Sequence, residues 1–180
     1  MKTVQKIVLG MSLLMTTASS LAVAAPVSPA DQLKQTLTEI GPEKFTASDY
    51  KPGLIKHIVL FRYQDSVTQE QKNEVKKRFL ALANQAKRDG ERYIVSIVAG
   101  DENSGEGVDQ GLEQGFIVTF KSQGDRNYYV GAPLIDTSTD DAKKLNKDFF
   151  DPAHQAFKDF VGPLLHQNPL GVVVFDFAVE

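Results

Sequence analysis

Two stretches of this chain are apolar on both faces of an extended strand. The first, Leu54 to Tyr63, reads Leu-Ile-Lys-His-Ile-Val-Leu-Phe-Arg-Tyr. Alternation puts His57, Val59, Phe61 and Tyr63 on one face and Ile58, Leu60 and Arg62 on the other. The second, Val172 to Val179, is nearly all apolar and closes the chain. A strand of this kind has to be covered on both sides. That requirement limits the folds open to the chain more than any other feature.

Helical and extended patterns alternate between these strands. Thr68 with Gln71 three residues on resembles a capping box, and Val75, Phe79, Leu82, Ala83 and Ala86 follow on one helical stripe. Gly90 is the expected stop. Strands are expected at Tyr93–Ala99 and Phe116–Phe120, separated by a polar, Gly-rich loop from Gly100 to Gln114. A helix beginning at Asp125–Val130 is broken by Gly131 and Pro133, and a polar insertion occupies about 131–150. Asp151-Pro152 is a helix start, with a capping Asp and Pro at the first helical position. The order strand, helix, two strands, helix, strand suits an α+β, ferredoxin-like βαββαβ sandwich with a four-stranded antiparallel sheet. Helices cover only one face of such a sheet. There is no internal repeat, so the simplest cover for the other face is a second copy, a homodimer. Ahead of this domain, which spans 54–180, lies a lead-in over 25–53. It contains a short helix at Asp31–Ile40 that Gly41-Pro42 is expected to stop.

The amino terminus has the form of a secretory signal peptide. Lys2 and Lys6 precede an apolar run, Ile7–Met15, and small residues lead to Ala22-Val23-Ala24. The apolar run is far shorter than the ~20 residues that span a bilayer. Cleavage after Ala24 leaves 156 of the 180 residues and, by removing two lysines, takes the net charge from −3 to −5. A mildly acidic exported chain lacks the basic footprint of a nucleic-acid or anionic-membrane binder. It has no cysteine, so disulfides contribute nothing to its stability outside the cytoplasm. No cysteine follows the small residues, which excludes a lipoprotein anchor, and the short signal favours a Gram-negative periplasm over a eukaryotic secretory route, so the expected location is periplasmic or secreted.

Four strings recur in one order: Lys56-His57-Ile58-Val59-Leu60-Phe61-Arg62-Tyr63, Gln110-Gly111, Asp151-Pro152-Ala153-His154-Gln155-Ala156-Phe157, and Val173-Val174-Phe175-Asp176-Phe177. Together they resemble the stress-responsive A/B barrel family, known as Dabb, over about Leu54 to Val179. The resemblance implies a dimeric α+β barrel. Most members of the family have no assigned activity, some plant relatives are stress-stable or antimicrobial proteins, and one group cyclises linear polyketides. By position, the histidines and tyrosine of that group correspond to His57, Tyr129 and His154. A further pocket histidine of the cyclases corresponds to Gln114, and the stretch between Tyr129 and the Pro-Ala-His string is much longer here.

These residues suggest a chemistry of their own. His154 lies in the first turn of a helix, whose dipole disfavours an imidazolium, and a neutral imidazole serves as a general base. His57 would be a polar group in an apolar cavity if its strand face lines the barrel interior. Tyr129 or Tyr128 would supply a hydroxyl to a developing enolate oxygen. Each also has a plain structural reading: His154 as a surface or capping residue, His57 as a satisfied core histidine, the tyrosines as core or interface aromatics. His166 reads as exposed at a helix end.

Metal-ligand spacings are absent, and the acidic loop of Asp101, Glu102, Glu106 and Asp109 lacks the EF-hand pattern. Dinucleotide, Walker and nucleophile-elbow motifs are also missing, so no cofactor is expected. The sequence thus points to an exported dimeric barrel that binds a small apolar molecule or acts in stress response. The alternative is a cofactor-free lyase or cyclase with a His/Tyr acid–base pocket.

Overall fold

The strand β1, Pro52–Phe61, lies at the middle of the sheet. In the computed structural model, which describes residues 26–132, 134–167 and 170–180, it pairs antiparallel with β3 (Gln114–Ser122) on one side and β4 (Val172–Ala178) on the other. The strand β2 (Ile94–Asp101) completes the sheet against β3, giving the order β2-β3-β1-β4 with every neighbour antiparallel. This is the four-stranded α+β, ferredoxin-like arrangement. The proposed signal peptide, residues 1–24, lies outside the described residues.

Five helices accompany the sheet: α1 (Pro29–Thr46), α2 (Gln69–Gln85), α3 (Gln123–Val130), α4 (Asp140–Leu145) and α5 (Pro152–Val161). The capping box at Thr68 and Gln71 is formed in both directions. Asp151 caps α5 by accepting from the amides of Ala153 and His154, with Pro152 at the first helical position.

Three expectations change. Gly41-Pro42 kinks α1 instead of ending it: Gly41 takes φ 76°, and the helix resumes to Thr46. The helix α2 stops at Gln85, well before Gly90, because Ala86 turns extended and Arg88 is drawn to the Thr46 carbonyl and, at 3.1 Å, to Asp125. Gly90, at φ 83°, instead lies in the tight Arg88–Glu91 turn. The polar 131–150 stretch carries α4, capped by Thr139, and two buried anchors, Ile135 and Phe150.

The core forms where α2 and α5 lie on the sheet. Val75, Phe79 and Leu82 of α2 meet Val59 and Phe61 of β1 and Phe116, Val118 and Phe120 of β3. Phe79 stacks on Phe116 with ring centroids 4.1 Å apart and meets Phe157 of α5 edge-on at 5.0 Å. Offset and edge-on pairs each add about 1 kcal/mol beyond the area they bury. The opposite sheet face is uncovered. Val98, Ile117, Phe175 and Phe177 are exposed there, with Phe175 at 62%. The alternation of β1 holds: His57, Val59 and Phe61 are buried on the helix-covered face, and Ile58 and Leu60 are on the open one.

Candidate functional site

A cavity of about 500 Å³ opens between the sheet and the helices. Its walls are mostly apolar: Val59, Phe61, Phe79, Phe157, Val161 and Leu165. Five ionisable side chains also line it: His57, Arg126, His154, Lys158 and Asp176. A largely apolar cleft with a few convergent polar groups is the usual form of a small-molecule site.

The register of β1 with β4 places His57 opposite Asp176. His57 Nδ1 lies 2.7 Å from Asp176 Oδ1, and the other carboxylate oxygen accepts from Arg126 of α3. Burial alone would raise the Asp176 carboxyl, but the His57 hydrogen bond and the Arg126 guanidinium hold it below the usual range. The carboxylate therefore fixes His57 with Nδ1–H directed at it.

His154 arrives from the first turn of α5. Its Nδ1 lies 2.5 Å from the backbone oxygen of Tyr129, an acceptor only, so Nδ1 carries the proton and Nε2 the lone pair. Burial and, secondarily, the Lys158 ammonium push the imidazole well below its ordinary pKa, so it stays neutral. Lys158 itself is lowered by burial and donates to the carbonyls of Val130 and Ala132 at the end of α3.

Tyr129 joins the two histidines. Its ring stacks on His154 at 3.7 Å and meets His57 edge-on at 5.6 Å. The three residues singled out from the sequence are thus brought together. The Tyr129 hydroxyl, however, is buried without a hydrogen-bond partner among the described residues, and Tyr129 is not part of the cavity wall. Burial drives its pKa far up. Tyr128 is a core aromatic beneath Arg88, whose guanidinium lies 4.1 Å from the ring centroid. Gln114 accepts from Tyr63 at 2.6 Å at the far end of β3 and does not reach the cavity. His166 is half-buried, not exposed.

Sequence reasoning missed Arg126, Lys158 and Asp176. Only Asp176 had a visible signal, as the single acid in an otherwise apolar strand. Asp101 of the acidic loop is paired with Lys76 of α2, and Glu113 beyond that loop with Lys72. Among the described residues no three His, Asp or Glu side chains gather to hold a metal.

Residues 55–179 match the stress responsive A/B barrel domain. The chain belongs to that family. The chain is also similar to solved structures. A hydroxynitrile lyase from Passiflora edulis is 20% identical, over 72% of this chain and 95% of that one, with a TM-score of 0.51. A protein of Arabidopsis thaliana is 21% identical, over 70% and 95%, with a TM-score of 0.46. A dimeric ferredoxin-like protein of unknown function from Jannaschia is 16% identical, over 71% and 100%, with a TM-score of 0.45. No curated protein matches the chain.

Proposed function

We propose that this A/B barrel protein is exported, forms a homodimer through its open sheet face, and binds a small apolar molecule in the cavity between sheet and helices as part of a stress response. The observation that carries the binding reading is the cavity itself: about 500 Å³, walled by aromatic and aliphatic side chains, with its two histidines already held by hydrogen bonds. Such a site favours a ligand with an apolar body and one polar group directed at the imidazoles. The test is thermal stabilisation by a panel of small aromatic and aliphatic compounds. Val174→Trp, which places a large ring at a half-exposed cavity position, should abolish the shift. A shift that survives in this variant places the ligand elsewhere. Export is tested by the amino-terminal sequence of the secreted or periplasmic protein, expected to begin at Ala25.

A second reading is cofactor-free lyase or cyclase chemistry. Two observations favour it: a neutral His154 and a carboxylate-oriented His57 both pack on the Tyr129 ring, and both line the cavity. The free ring nitrogen of His154 would accept a substrate proton, and the imidazolium so formed would return that proton to the developing oxyanion or leaving group, while His57 orients the substrate beside it. Hydroxynitriles and linear poly-β-ketones are suitable trial substrates, the former because the Passiflora edulis protein of this fold is a hydroxynitrile lyase. Loss of turnover by roughly 100-fold or more in both His57→Gln and His154→Gln, with ligand binding retained, would support it. Absence of turnover in the native protein removes it.

A further inference from the structure

The helix α1 consists of two half-helices that meet at Gly41, where φ is 76° and ψ 160°, immediately before Pro42. Glycine takes this left-handed φ without steric cost, and proline at the next position has no amide to rejoin the helical ladder. The two halves are held in different ways.

The second half is anchored. Phe45 is fully buried, and its carbonyl accepts from Asn127 Nδ2 at 2.8 Å. The Thr46 carbonyl accepts from Arg88. The Gly124 amide donates to the Tyr50 carbonyl at 3.1 Å, and a Cβ at Gly124 would stand 1.7 Å from the Ala47 carbonyl oxygen.

The first half, Pro29–Ile40, has none of this. It contains no buried residue. Among the described residues, every side-chain hydrogen bond from Ser28 to Ile40 stays within residues 27–39. Its apolar residues Ala30, Leu33, Leu37 and Ile40 recur at helical spacing. Ala30 and Leu33 are part of the wall of the cavity that His57 and His154 line. This half also lies wholly before residue 55, where the family domain begins.

We propose that the half-helix Pro29–Ile40 is the lid and size-selecting wall of the cavity, swinging about Gly41 to admit a ligand and closing with Leu33 against it. This rests on the cavity being a ligand site. Segments that open locally are those with few buried apolar contacts and no hydrogen bonds to the core, and this half-helix meets both conditions. The element it swings from is fixed to α3, so the motion leaves the sheet and both histidines in place. The stripe presents no charge to the cavity, so the lid selects by volume.

The test uses purified protein and two fluorescent probes, 2-naphthol and the bulkier 1-anilinonaphthalene-8-sulfonate. The native chain has no tryptophan, so the dye signals of the native and Leu33→Ala proteins are free of indole emission. Leu33→Ala should strengthen binding of the bulky probe by about tenfold relative to 2-naphthol, and Leu33→Trp should weaken both by about tenfold. In the native protein, amide hydrogen exchange over residues 31–40 should be fast when free and slow about tenfold with probe bound, while that of α5 should change much less.

If the probes bind, and Val174→Trp abolishes their binding, yet Leu33 variants leave both affinities within about twofold and exchange over 31–40 is unmoved, the lid assignment is wrong and the cavity reading stands. If neither probe binds the native protein, the cavity reading falls and the lid with it.

Discussion

Asp176 is the residue on which the polar edge of the cavity depends. It accepts from His57 and from Arg126, two groups that no other carboxylate in the cavity wall could satisfy. Asp176→Ala strands a buried guanidinium and is expected to cost about 2 kcal/mol in denaturant unfolding. Its folded pKa lies below the ordinary 3.8, so its contribution is present above that value and is lost as pH falls through the folded pKa. The stability gap between native and Asp176→Asn protein should therefore shrink below about pH 4. His154 acts over a different range. Its folded pKa is depressed well below 6.5, so between the two values the unfolded chain binds the extra proton. Stability should fall as pH drops below 6.5, by up to about 1.4 kcal/mol per pH unit. In His154→Gln that share of the slope should vanish, which unfolding measured from pH 7 to pH 5 will show. The sequence marked His57 and His154 as notable because a polar ring in an apolar pattern is visible locally. It could not mark Arg126 or Lys158, which look like ordinary solvated charges on short helices until the fold turns them inward.

The elements owe their limits to caps, and the caps differ in what they do. Thr68 satisfies one exposed helix start, and Thr68→Ala is expected to cost about 1 kcal/mol. Asp151 caps α5 while also accepting from the buried Tyr93 hydroxyl. Asp151→Ala should cost about 2 kcal/mol or more, because it leaves a buried donor unmatched as well as uncapping the helix. It should also loosen His154, whose amide Asp151 holds, and this is visible as a shift of the His154 ring resonances. Both caps were readable from residue spacing alone. The early end of α2 was not. Gly90 is a sound stop signal, but Arg88 pulls the chain out of the helix sooner through contacts to Thr46 and Asp125, residues remote in sequence.

At the scale of the molecule, the open sheet face determines what the chain associates with. Ile117, Phe175 and Phe177 expose large apolar surface on it. A patch of this kind is an interface or an aggregation site. Homodimer formation predicts that Phe175→Lys, at the most exposed of these positions, yields a folded monomer in sedimentation analysis while leaving the cavity side unchanged. A native protein that sediments as a monomer at micromolar concentration would count against the dimer. The chain has no cysteine, so this burial would also supply stability that a disulfide provides in many exported domains.

Strand order, helix starts and the two-faced character of β1 and β4 follow from the sequence by itself, because periodicity and capping are properties of neighbouring residues. So does the placing of His57 with Val59 and Phe61 on one face. Which face the helices would cover was a tertiary matter, as was the cavity behind it. The pairing of His57 with Asp176, 119 residues away, depends on the register of β1 against β4. The placement of α1 beside that cavity depends on Phe45 finding a buried site against α3. Contacts between distant residues are set by how whole elements pack, and no local pattern encodes them.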